Sequence, residues 1–149
     1  MYSLSNWDRN EVLEFLSYRS YPENKNSTGY NYFRGARLYG EDLRDYNLLD
    51  IDFEDAELSR VNLSKCKMHR ANLRHADLRN ANMHRVKLQT ADLTGADLRG
   101  ADLSYANLQW AILIGVKVDG ANFKNTDLRF ADFRGVYWGN AVGYEKAKK

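Results

Sequence analysis

The sequence predicts an all-β solenoid, a chain wound into a coil of short sides, with one helix ahead of it. Three observations predict this. A large apolar residue recurs every fifth position from Phe33 to Trp138 without a slip. From Leu38 to Trp138 those 21 positions hold 14 Leu, 3 Phe, 2 Met, 1 Val and 1 Trp, and the residue two before is Ala in 12 of them. Between the pair sits Asp, Asn or another polar residue in most repeats, and the last two residues of each phrase are mostly polar or Gly. No helix or plain strand keeps a period of five. In extended chain the Ala and the large residue point the same way and the Asp or Asn points opposite. The polar pair that follows suits a corner. Short inward-facing edges joined by turns make a coil, and stacked coils pair backbone groups about 4.8 Å apart.

The elements follow in chain order. Residues 1–30 read as a capping helix and a loop. Ser5 with Asp8 starts a helix over roughly 6–18, with Leu4, Val12, Leu13 and Leu16 as one apolar stripe and Trp7 and Phe15 nearby. This helix is expected to lie as a lid on the first coil, since solenoid ends need capping. Residues 20–30, SYPENKNSTGY, read as a loop. Residues 31–140 are the repeat region. Glu41 and Tyr46 stand at inward positions meant for Ala, so the first coil is expected to be distorted there, with Glu41 reaching solvent or a partner. Residues 141–149 form a short basic tail.

Phrases such as Ala91-Asp92-Leu93-Thr94-Gly95, Ala96-Asp97-Leu98-Arg99-Gly100 and Ala101-Asp102-Leu103-Ser104-Tyr105 resemble the A-(D/N)-L-x-x of the pentapeptide repeat family, unbroken over about residues 31–140. The resemblance implies a right-handed quadrilateral (four-sided) parallel β-helix with four repeats per coil. Residues twenty apart then stack, and the chain makes about five and a half coils.

Composition narrows the function classes. With 22 Lys+Arg against 20 Asp+Glu, the net charge of +2 does not by itself imply a polyanionic partner. Asp8, Glu11 and Glu14 precede any apolar run, so no signal peptide is expected, and no 18-residue apolar stretch is present to span a membrane. The single cysteine, Cys66, cannot form an intrachain disulfide and suits a reducing, cytoplasmic setting. It occupies an inward small-residue position, which suits a buried structural thiol.

Chemistry is hard to find. On four-sided stacking His69, His75 and His84 fall on three different sides, so no single ion is expected to reach all three, and no metal or cofactor is expected. Asp92, Asp97 and Asp102 turn onto separate sides, whereas general acid–base work needs convergence. The glycines of GADLRGAD lack the spacing and the lysine of a phosphate loop. The expectation is a protein that is not an enzyme.

The charges are more informative. Residues 41–57 hold eight acids against Arg44, and residues 58–90 hold eight bases against Asp77. Stacking would set Asp45 on Lys65, Asp50 on Arg70, Glu54 on Arg74 and Asp55 on His75, pairs that stabilise by ~0.2–1 kcal/mol each. Lys65 on Arg85, Lys67 on Lys87 and Arg79 on Arg99 are like charges, which stability alone does not favour. Trp110 and Phe130, twenty apart, hold corner positions normally given to Gly or polar residues, with Tyr105 one corner back. Ile112 and Ile114 on the adjoining side are expected to point outward. The candidate interaction surface is therefore Lys65, Lys67, Arg70, Arg85, Lys87, Tyr105, Trp110, Ile112, Ile114 and Phe130.

The leading function is a non-catalytic protein–protein interaction or regulatory scaffold module. Its partner is an unidentified protein, or a second copy docking through the aromatic patch or the solenoid ends. The resemblance also implies an alternative, inhibition or protection of gyrase by mimicry of duplex DNA. The positive net charge and the shortness of the tail disfavour it. Nucleic-acid binding through the basic coils is a third reading, disfavoured because pairing with the acidic coil consumes much of the charge.

Overall fold

The five-residue phrase becomes one side and one corner of a coil. In the phrase Phe33 to Ala36, the Ala36 N–H donates to the Phe33 carbonyl at 3.0 Å, and the same bond recurs phrase after phrase as far as Ala141 to Trp138. The third residue of each turn lies in the left-handed region, from Gly35 (φ 67°) through Asp50 (φ 58°) to Phe130 (φ 62°). A turn with positive φ at that position favours Gly or Asn, which explains why the phrase so often ends in one of them. The computed structural model describes residues 9–20 and 33–146. Ser5, Asp8, Leu4, Trp7 and residues 21–30 of the loop expected over 20–30 lie outside the described residues, while Ser20 is helical rather than part of that loop.

The sides pair in parallel with a spacing of twenty, from Arg37 with Glu57 to Asn122 with Val142, each side contributing a single bridge. Four phrases thus make one turn of a right-handed β-helix. Its four walls are identified by their inward residues. Wall A carries Phe33, Phe53, Leu73, Leu93, Leu113 and Phe133, and wall B starts at Leu38. Wall C starts at Leu43, and wall D carries Leu48, Met68, Leu88, Leu108 and Leu128. Nearly all of these are fully buried, with the Ala and other small residues between them. Burying a Leu side chain contributes about 1.5–3 kcal/mol, so the inward column is the main source of stability.

The Asp or Asn of the phrase has a structural duty. Its side-chain oxygen accepts the N–H of the residue two ahead, as in Ser64 N–H to Asn62 at 3.1 Å, Thr94 to Asp92 at 2.9 Å and Ser104 to Asp102 at 3.0 Å. This turn N–H makes no bond to a neighbouring coil, and the local side chain satisfies it. Where the small inward residue carries a donor, the donor bonds the carbonyl of a Leu 23 residues back. Cys66 Sγ reaches the Leu43 carbonyl and Thr126 Oγ1 the Leu103 carbonyl, both at 2.8 Å. Burial pushes the Cys66 thiol up to about 12, so it stays protonated.

The first coil is regular rather than distorted. Glu41 N–H still donates to Leu38 and Asn62 N–H to Glu41, while Tyr46 sits half-buried against the core. Helix α1, Arg9–Ser20, precedes the coils. Its Val12 and Leu16 are fully buried in the same cluster as Phe33, and the Phe15 ring meets Phe33 edge-on at 5.4 Å. At the other end Trp138 lies edge-on to Phe123 at 5.3 Å and stacks on Tyr144 at 4.9 Å. Tyr144–Lys146 form a short 3-10 turn. Gly143 stands where the next large residue would fall. A Cβ there would lie 2.7 Å from the Lys124 backbone nitrogen, so the apolar column cannot continue.

Candidate interaction surface

Wall D and its two corners collect most of the residues that break the phrase. Lys67 and Lys87 pair directly across the ladder in the middle of the wall. They replace the Asp or Asn of the phrase, and among the described residues no side chain accepts the N–H of His69 or Gln89. Lys65 and Arg85 stand at the corner shared with wall C, and Arg85 lies over the Tyr105 ring at 5.6 Å. Arg70, Trp110 and Phe130 stand at the corner shared with wall A. Wall D also holds buried side-chain atoms without a hydrogen bond: Asn47 Oδ1, His69 Nδ1 and Gln89 Oε1. Burial, then the charges of Lys87, Arg70 and Lys67, holds the His69 imidazole below its ordinary range, so it is neutral at physiological pH.

The charge pairing differs from the stacking expectation. Asp50 and Arg70 do meet across coils at 2.6 Å. Glu54, however, pairs with Arg34 at 2.9 Å, Arg74 reaches Asp92 at 3.1 Å, and Asp55 faces Arg34 at 3.6 Å rather than His75. Asp45 and Lys65 form no ion pair. The commonest pairing lies inside one phrase, where an Arg folds back onto the Asp two residues before it. Asp77 with Arg79, Asp97 with Arg99 and Asp127 with Arg129 lie at 2.7, 2.6 and 2.7 Å. The side-chain bond from Arg99 holds the Asp97 carboxyl below the usual carboxylate range, and Arg79 does the same for Asp77. Arg79 and Arg99 are therefore each neutralised locally, and their stacking is not an exposed like-charge ladder. No such partner exists among the described residues for Lys65, Lys67, Lys87 or Arg85.

The aromatic corner is a real stack. The Trp110 and Phe130 ring centroids are 4.3 Å apart at 17°, yet the residues are 58% and 68% exposed. Ile112 adjoins them at 37% exposure, and Ile114 at the next corner is half-buried and not part of the core cluster. Tyr105 belongs to the opposite corner of wall D. It is separated from Trp110 by the width of the wall, and its ring meets His84 edge-on at 5.5 Å. Trp110, Phe130 and Tyr105 all have φ near 60°. A bulky residue there is costlier than Gly by about 1 kcal/mol.

Elsewhere the chemistry is sparse. His84 Nδ1 lies 2.8 Å from Ser104 Oγ. The twenty-residue stack would have shown this contact in the sequence, where it was missed. No carboxylate of the described residues orients the other ring nitrogen, as nucleophilic catalysis by Ser and His requires. Among the described residues no group of three His, Cys, Asp or Glu side chains is placed to hold a metal, and no helix is long and apolar enough to cross a membrane. A shallow cleft lined by Lys124, Asn125, Gly143 and Glu145 brings together one base and one acid at the C-terminal end.

Comparison with known proteins adds the following. The family model described as pentapeptide repeats matches in 8 copies, over residues 56–95, 66–104, 81–120 and 101–137. No curated protein matches the sequence. Solved structures similar to the chain include a trypsin-treated form of QnrB1, described as a plasmid-mediated fluoroquinolone resistance protein. It is 24% identical over 73% of this chain and 65% of that one, with a TM-score of 0.39. The chain thus spans just under two thirds of that structure. The pentapeptide repeat protein Rfr23 from the cyanobacterium Cyanothece 51142 is 24% identical over 87% of this chain and 98% of that one, with a TM-score of 0.34. The pentapeptide repeat protein alr5209 from Nostoc Pcc 7120 is 30% identical over 70% of this chain and 81% of that one, with a TM-score of 0.29.

Proposed function

The chain belongs to the pentapeptide repeat family, and from that premise we propose that it is a non-catalytic interaction module, a rigid β-helix whose wall D is read by a protein partner. The observation that carries this reading is the set of cations Lys65, Lys67, Arg85 and Lys87 on wall D and its corner with wall C, which have no ion pair among the described residues, while Arg74, Arg79 and Arg99 on walls A and B are held by carboxylates. A scaffold built for stability alone would not stack Lys67 on Lys87. Nor would it place Trp110 and Phe130 at exposed corners of left-handed backbone. Contiguous exposed apolar surface of this kind marks interaction sites.

Affinity capture from host extract tests the reading. Proteins recovered with the wild type are expected to be lost with Trp110→Ser/Phe130→Ser and retained with Lys117→Ser, which alters wall B. Sedimentation of the same variants shows whether the partner is a second copy. Equal recovery and unchanged assembly with a folded Trp110→Ser/Phe130→Ser protein would overturn the proposal. Mimicry of duplex DNA toward gyrase draws less support. It requires an extended acidic surface, and Asp42, Asp50, Glu54 and Glu57 are tied to arginines of the same chain.

A further inference from the structure

We infer that the occupant of wall D is an acidic, extended peptide segment with an apolar anchor, its carboxylates over Lys67 and Lys87 and its anchor against Trp110 and Phe130. This rests on the reading of the chain as an interaction module and adds the chemistry of the partner.

The charge is local and uncompensated. Arg79, Arg99 and Arg129 are bound to their own carboxylates, and Arg60, Lys117 and Lys124 each stand apart on other walls, whereas Lys67 and Lys87 are cations without an ion pair among the described residues, set directly on one another. The lysines stand one coil apart, about 4.8 Å, a spacing at which two carboxylates can be held side by side.

The backbone excludes one mode of binding. Lys67 N–H donates to Tyr46 and Lys87 N–H to Cys66, while the Lys87 carbonyl accepts from Met68. At Lys67 and Lys87 the wall therefore has no free edge to add a strand, and a partner is read there through side chains. Trp110 sits one coil beyond Lys87 and three residues further along the chain, roughly 10 Å away. That distance is about three residues of extended peptide, which fixes the offset between the acidic pair and its anchor.

A nucleic-acid strand fits less well. Base stacking uses a free ring face. Trp110 and Phe130 cover one another's inner faces, so bases cannot enter between them in succession.

The test uses the full chain and a labelled peptide, Glu-Glu-Ser-Ser-Leu-Phe, followed by fluorescence anisotropy. Three further probes are run beside it: the same peptide with Gln for both Glu, the same peptide with Ser for Leu and Phe, and a single-stranded oligonucleotide. The acidic peptide is expected to bind at low salt and to weaken as salt rises. Lys67→Gln/Lys87→Gln is expected to reduce binding roughly tenfold and Trp110→Ser/Phe130→Ser by a similar factor, in line with loss of a paired charge or an anchor. Both peptide substitutions are expected to weaken it as much, and Lys117→Gln not at all. Thermal melts check that each variant is folded.

The inference is overturned if the acidic peptide does not bind, if the Gln peptide binds equally, if the wall D variants bind as the wild type does, or if the oligonucleotide binds more tightly and displaces the peptide. Wall-dependent capture from extract combined with no peptide binding overturns the partner's chemistry and leaves the module standing. Capture that is indifferent to wall D overturns both.

Discussion

At Trp110 the side chain and the backbone have opposite preferences. Its φ of 61° suits Gly, and its indole is more than half exposed. The stack on Phe130 returns ~0.5–1.5 kcal/mol, comparable to the conformational cost of two bulky residues in the left-handed region. Trp110→Gly/Phe130→Gly is therefore expected to leave the urea unfolding free energy within about 1 kcal/mol of wild type. A loss of several kcal/mol would make the stack a structural element instead of a surface device. Both aromatics were legible in the sequence because the phrase is so regular that a corner Trp stands out. The same holds for Lys67, Lys87 and Ile112, which displace the Asp or Asn. The unbonded atoms of Asn47, His69 and Gln89 were not legible. Nothing in the five-residue pattern says where a polar side chain at the turn will aim once its neighbours are in place. The ion pairs were misjudged for a related reason. An Arg two residues after an Asp reaches it across one turn, closer than any residue a coil away.

Helix α1 shows the limit of pattern reading at the scale of an element. The apolar stripe was visible, and Val12 and Leu16 are indeed in the core. What the helix covers depends on the Phe33 ring and the open end of the first coil, which the sequence gives only through the repeat. We take α1 as the lid on that end. Leu16→Ser is expected to destabilise by about 2–5 kcal/mol, as removal of a buried Leu generally does. The loss should concentrate at the first coil. Amide exchange at Phe33 and Leu38, which bond to Asp52 and Glu57, should accelerate more than exchange at Leu88. Uniform acceleration along the solenoid would mean that the helix is not a local lid.

For the whole molecule, stability is a sum over coils, each in contact only with its neighbours. Carboxylates repeat with the coil, so small effects accumulate. Asp77, Asp97 and Asp127 are held below their ordinary range, first by the side-chain bonds of Arg79, Arg99 and Arg129. A carboxylate lowered in the folded state contributes stability that is present above the unfolded value, about 3.9. That stability is lost as pH falls through the lower folded value. The urea midpoint is expected to change little from pH 7 to 5 and to drop steeply below about pH 4. A midpoint unchanged at pH 3 would show that these pairs contribute nothing.

The twenty-residue ladder also makes every surface a matter of phase. Lys87 and Trp110 share a wall because 23 residues separate them, one full turn plus three positions. Insertion of a single five-residue phrase between them would leave the core column and the turn bonds intact, yet carry Trp110 and Phe130 a quarter-turn around the axis. The scaffold would accept the change, and the composite surface would cease to exist. In such a fold, duplication of a phrase works as a rotation operator, able to recombine walls without redesigning any of them.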